Sequence, residues 1–180
     1  VGVAGSSYRR TQCLSLIHAL HPTCIRGNYS EIRALIQNQK TAAGVDAAPE
    51  DSGKINWDVF ISDFKNYASA EQIIVIASGE TDIITDGTTT YLCHNGNSLM
   101  AKITGSGCMS SCLLGTFLGA AASREYSQAT LLESAASCCA FMGIAGELAA
   151  SRTHQCEGGT MTFRMKLIDA VSLMQTEELL

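Results

Sequence analysis

The chain has 180 residues, with 12 Lys plus Arg against 17 Asp plus Glu and a formal net charge of −5. Hydrophobic residues make up 46% and charged residues 16%, a balance that excludes a disordered or fully solvated polypeptide and fits one domain over residues 1–180. The acidic excess and the lack of a Lys/Arg cluster argue against nucleic acid as a partner.

Hydrophobic spacing predicts a helix over residues 8–21, carried by Leu14, Ile17 and Leu20 and stopped by Pro22. A short buried strand over 23–25 follows, punctuated by Gly27. A second helix begins near Asn28, with Ile32, Leu35 and Ile36 on one face. Residues 40–53, rich in Ala, Gly, Pro and Asp, predict a surface loop, and residues 57–67 a third helix. The period then changes. Ile73-Ile74-Val75-Ile76 is a β-branched run of the kind buried on both faces of a parallel sheet. Shorter strands are expected over 83–84, 88–93 and 99–103, the last two joined by a hairpin turn at Asn95-Gly96.

From Gly107 onward the pattern is helical. Between Ile103 and Ala150 the only charges are Arg124, Glu125, Glu133 and Glu147, so these helices are expected to be covered on most sides. A final amphipathic helix spans 160–174. The order predicts an α/β layered fold: a mostly parallel central sheet flanked by helices, with a hairpin near a glycine-rich loop.

Eight cysteines include no C-x-x-C pair, and several sit in apolar helical patterns where a free thiol acts as a small hydrophobe. With no signal-like start, a reducing cytoplasm is the expected compartment. Residues 103–123 carry no charge, yet four glycines and several hydroxyl residues break the run, so no membrane span is expected. No histidine has a partner at metal-ligand spacing.

Three segments can carry chemistry. In Thr104-Gly105-Ser106-Gly107-Cys108 a strand is expected to give way to a helix through a Gly-x-Gly turn, where backbone N–H groups converge on an anion. It lacks the Gly-Lys-Ser/Thr of a P-loop, and a ligand-free turn is the plain alternative. Cys108 lies in the first helical turn, where a reacting group could reach it; a small buried residue is the other reading, and the one expected for Cys112. In Arg26-Gly27-Asn28-Tyr29-Ser30-Glu31, Asn28 and Glu31 have the spacing of a capping box. The same oxygens could face a hydrated Mg²⁺ while Arg26 reaches a phosphate. Ser78 follows the most apolar strand, in Ser78-Gly79-Glu80-Thr81-Asp82, where open α/β sheets bind ligands; Asp86-Gly87 reads as a turn.

In this order and spacing the segments resemble the hydroxyethylthiazole kinases of thiamine salvage, in the ribokinase-like superfamily. Val1-Gly2-Val3 is similar to the end of that family's Asp-Pro-Val-Gly-Val-Gly loop, and residues 26–31 to its Arg-Gly-Asn-x-x-Glu segment. Residues 78–82 are similar to its Thr-Gly-Glu-x-Asp element, with Ser78 in place of Thr, and residues 104–108 to its anion-hole loop. The resemblance covers the C-terminal two thirds of the family's usual chain, so much of the thiazole pocket and a magnesium-organising Asp would lie before Val1. It implies ATP and Mg²⁺ as cofactors and 4-methyl-5-(2-hydroxyethyl)thiazole as the alcohol phosphorylated. It implies Cys108 as the catalytic group, Arg26, Ser78 and Gly107 as ATP-binding residues, Gly105 as substrate-binding, and Glu31 with Asn28 as metal-facing. A homotrimer is implied as well. Alternatives are a kinase of another small alcohol, an inactive nucleotide-binding module and, with least support, a thiol redox protein.

Overall fold

In the computed structural model the described residues are 3–43, 57–124 and 126–175, with residues 38–43 described for the backbone alone. Val1-Gly2 and the part of the expected loop over 44–53 lie outside them. The chain divides into two compact units, Val1–Gly79 with Ile83–Tyr91 and Glu80–Asp82 with Leu92–Leu180.

The first unit opens with a 3-10 turn, Val3–Gly5, and helix α1, Ser7–Leu20, which ends on His21 in the left-handed region. Strand β1, Cys24–Asn28, leads directly into α2, Tyr29–Ala43. Helix α3, Trp57–Glu71, precedes β2, Ile74–Ser78. Two short strands follow, β3, Asp82–Thr85, and β4, Thr90–Cys93, giving a sheet of order β1-β2-β3-β4.

Strand β1 pairs with β2 in parallel, while β2 pairs with β3 antiparallel. The sheet is therefore mixed rather than mostly parallel. Gly79-Glu80-Thr81 is too short for a crossover, so β3 can only return alongside β2. The β-branched run does form the most buried strand, with Ile74, Val75 and Ile76 fully enclosed. Strand β1 is longer and less buried than expected: Gly27 alone is buried in it. Helix α2 extends through Ala43, so residues 40–43 are helical and not loop.

The core of this unit joins Ile32, Leu35 and Ile36 of α2 to Phe60, Phe64, Tyr67 and Ala68 of α3 and to Val75, Ala77 and Ile83 of the sheet. Burial, and then the Glu71 carboxylate, push the Tyr67 phenol up to about 12. A raised folded value means the protonated phenol is favoured by folding. Its stability contribution is complete below about pH 10 and is lost as pH rises toward 12, at roughly 1.4 kcal/mol per pH unit. Urea midpoints measured between pH 9 and 12 should fall over that window, and Tyr67→Phe should remove this component of the fall.

The second unit holds a 3-10 turn, Ser98–Lys102, and helices α4, Ser106–Arg124, α5, Gln128–Gln155, and α6, Thr160–Leu173. Its core packs Met142, Ala145, Ala149 and Ala150 of α5 against Phe163, Leu167 and Ala170 of α6, with Leu99, Met100 and Ile103 at the margin. The expected strand over 99–103 and its hairpin are absent from the described residues. Asn97 caps a 3-10 turn instead, its Oδ1 accepting from Leu99 N at 3.0 Å and its carbonyl from Met100 N at 2.9 Å. The apolar residues that suggested a strand are drawn onto helices, where no period-2 pattern is required.

Helix α4 also departs from expectation. Only Ser110 and Leu114 are buried in it, and Gly107, Cys108, Ser111, Cys112, Gly115 and Gly119 are exposed. Burial among the described residues therefore does not account for its lack of charge. Cys112 is thus a surface residue. No disulfide joins the eight cysteines among the described residues, and Cys138 and Cys139 are buried. Among the described residues α5 is long and apolar enough to cross a membrane by length and composition, and half of that stretch is buried inside the protein.

Candidate functional site

In the first unit four of the expected residues, Arg26, Asn28, Glu31 and Ser78, lie at the carboxyl ends of β1 and β2. The parallel register sets Arg26 beside Ile76 and Asn28 beside Ser78, and the pleat puts Arg26 and Asn28 on one face of β1. The first turn of α2 brings Glu31 to the same place. Asn28 N donates to Glu31 Oε2 at 2.9 Å, and Asn28 Oδ1 accepts from Glu31 N at 2.9 Å and from Ser30 Oγ at 2.8 Å. This is a closed capping box. Gly27 makes room for it: a Cβ there would sit 3.1 Å from Glu31 Cβ and 3.2 Å from its Oε2.

An amide oxygen has two lone pairs, and Asn28 spends both on the cap. Direct ligation of a metal by Asn28 therefore does not fit; its hydrogen bonds hold Glu31 instead. Among the described residues no group of three or more His, Cys, Asp or Glu could hold a metal ion. A Mg²⁺ ion fits here only as it does in many nucleotide enzymes, on phosphate oxygens with one carboxylate reaching it, often through water. Glu31 is the carboxylate at this place that would face such an ion.

Ser78 supplies the clearest sign of a ligand. Its Oγ is buried and makes no hydrogen bond among the described residues, at the point where a parallel sheet receives ligands. Buried hydroxyls are normally partnered. Next to it, Gly79 lies under the Tyr29 ring, which any Cβ at position 79 would overlap. Tyr29 in turn packs edge-on against Phe60 and Trp57. The close fit of Tyr29 over Gly79 has no signal in the sequence beyond an aromatic after an Asn.

In the second unit Gly105, Gly107 and Cys108 form the start of α4. Gly105 takes φ +102°, a turn that favours glycine. The helical ladder begins with Met109 N donating to Gly105 O at 2.9 Å, and Cys108, third in the helix, is exposed. There is no acidic residue in the first turn, and Arg124 closes the last, so nothing acidic in α4's first turn offsets the positive end of its dipole. Ser106 Oγ ties this end down by donating to Met100 O at 3.0 Å.

Close to the start of the 3-10 turn, Thr81 Oγ1 and His94 Nδ1 lie 3.0 Å apart. Glu147 Oε1 accepts from Gly96 N at 2.8 Å and Asn95 Nδ2 at 3.3 Å. The Cys93 thiol is pushed up first by burial and further by the Asp82 and Glu147 carboxylates, against a lowering contribution from the Asn95 backbone.

The arrangement is that of an α/β protein of ribokinase-like fold, and a solved hydroxyethylthiazole kinase from Pyrococcus horikoshii OT3 shares it, with a TM-score of 0.72 at 21% identity over 99% of this chain and 59% of that one. The chain belongs to the Hydroxyethylthiazole kinase family, whose model matches residues 1–177. It is 37% identical to hydroxyethylthiazole kinase 1 of Methanosphaera stadtmanae, over 100% of this chain and 63% of that protein. It is also 33% identical to the hydroxyethylthiazole kinase of Methanosarcina acetivorans, over 99% and 62%, and 37% identical to that of Clostridium acetobutylicum, over 99% and 63%. The chain thus spans about three fifths of the length of the curated relatives it matches.

Proposed function

We propose that the chain works, with residues 1–180 acting as one kinase domain, in ATP-dependent phosphorylation of the primary alcohol of 4-methyl-5-(2-hydroxyethyl)thiazole, in the cytoplasm and as a homotrimer. Family membership supports the reaction, and the observation that carries the site is the buried Ser78 hydroxyl, which has no partner among the described residues. Phosphoryl transfer asks a protein for charge neutralisation and in-line positioning more than for covalent chemistry. Ser78 would hydrogen-bond the nucleotide and Arg26 offset its phosphate charge, while Glu31, fixed by Asn28, faces the magnesium ion. When bound, that ion neutralises charge on the phosphates. Gly105 would contact the alcohol and Gly107 the nucleotide, their backbone amides facing the transferring group. As the alcohol oxygen bonds to the γ-phosphorus and the bridging P–O bond breaks, Cys108 accepts or orients the hydroxyl proton.

The direct test is formation of the thiazole phosphate from ATP and hydroxyethylthiazole. Calorimetric ATP binding without phosphorylation of this or any other small alcohol would overturn the reading in favour of a nucleotide-binding module. The engagement of Asn28 Oδ1 with its own helix is the observation that would then gain weight.

Ser78→Ala separates stability from binding. It removes a buried hydroxyl that has no partner among the described residues, so the unliganded protein should be unchanged or more stable by about 1 kcal/mol, while ATP affinity falls by about 1–2 kcal/mol. Thermal melts with and without ATP check both signs at once. A variant destabilised without ATP would show the hydroxyl to be satisfied already.

A further inference from the structure

Helix α5 touches the segment before the α4 loop through an unusual row of residues. Gly143, Gly146 and Glu147 line one face of α5, and each meets the stretch over 95–100. A Cβ at Gly143 would fall 2.5 Å from Asn95 Cβ and 2.7 Å from its carbonyl oxygen, and one at Gly146 would overlap Met100 Sδ. Backbone and side chain therefore seat directly on the helix, and Glu147 fastens the seat by accepting from both Gly96 N and Asn95 Nδ2. From there the connections run without a gap. Asn97 caps the 3-10 turn through Leu99 N, and Met100, at the turn's centre, offers its carbonyl to Ser106 Oγ. Ser106 is the first residue of α4.

We propose that Glu147 is a positioning residue: through Asn95, Gly96 and the 3-10 turn it fixes Met100 and Ser106, and so sets the amino end of α4 that presents residues 105–108 to the transferring phosphoryl group. The proposal rests on the kinase reading of that loop. Glu147 touches no reacting atom in this role, and its nearest link to chemistry is the Ser106 anchor. A carboxylate suits the task because one oxygen can accept two donors. A glutamine Oε1 keeps that capacity and loses only the charge.

The test compares Glu147→Ala and Glu147→Gln with the parent by amide hydrogen exchange and by kinetics. In Glu147→Ala, exchange should speed about tenfold or more in peptides covering both 94–103 and 105–113, and stay within twofold in α6. Turnover of hydroxyethylthiazole should fall at least tenfold with KM for ATP little changed, and Glu147→Gln should restore exchange and turnover to within about threefold of the parent. Faster exchange confined to 94–103 would overturn the proposal, because the 3-10 turn would then not carry the coupling. So would loosening that extends to α6, or equal loss of turnover in both variants. Should the parent phosphorylate nothing, the kinase reading fails. Exchange at 105–113 still decides whether Glu147 sets the start of α4.

Discussion

Cys108→Ala is expected to lower turnover of hydroxyethylthiazole by about 10²-fold or more, the usual scale of a lost proton-transfer group, while ATP affinity stays within about twofold. The thiol is exposed at the third position of α4, so its removal leaves no cavity and exposes no buried partner. The loop is tied instead by Ser106 and by the Gly105 carbonyl. Cys108→Asp supplies another proton acceptor at the same place and should retain measurable activity. Steady-state kinetics over a range of ATP concentrations distinguish the outcomes. If the alanine variant lost ATP binding, Cys108 would belong to nucleotide recognition and not to proton transfer.

The largest effect on stability is expected from Phe163→Ala. Phe163 is fully buried between α5 and α6, among Met142, Ala145, Ala149 and Leu167. Alanines on the α5 side cannot rearrange to fill the space, so both the transfer and the cavity contributions are felt, about 3–5 kcal/mol together. That is a large fraction of the 5–15 kcal/mol typical of a folded protein. Urea titration followed by far-ultraviolet circular dichroism should show the loss. Phe163→Leu, which keeps most of the volume, should cost clearly less. Equal midpoints for the alanine variant and the parent would mean that α6 is held elsewhere.

Much of the fold was legible because local pattern and burial agree. The run Ile73-Ile74-Val75-Ile76 marks the most enclosed strand, and the Asn28-to-Glu31 spacing marks the cap that forms at the start of α2. Where the sequence misled, the deciding contact lies far along the chain. Leu99 and Met100 look like strand residues until α5 is in place, and Gly143 and Gly146 look like ordinary small residues in a helix. The sheet direction turned on three residues, Gly79-Glu80-Thr81, whose brevity forces an antiparallel return. The candidate site was legible as motifs, and the motifs could not reveal how its oxygens are already engaged. The spacing of Asn28 and Glu31 serves a cap and a metal equally well, and only the two hydrogen bonds on Asn28 Oδ1 separate the uses.

One further property follows from the aromatic packing beside Ser78. Trp57 is the chain's only tryptophan, and its ring lies 6.0 Å, edge-on, from Tyr29. Tyr29 covers Gly79, the residue after Ser78. The protein therefore carries its own optical gauge: any molecule that seats at Ser78 and shifts the tyrosine ring changes the surroundings of the sole indole, and occupancy can be followed by intrinsic emission without attaching a label.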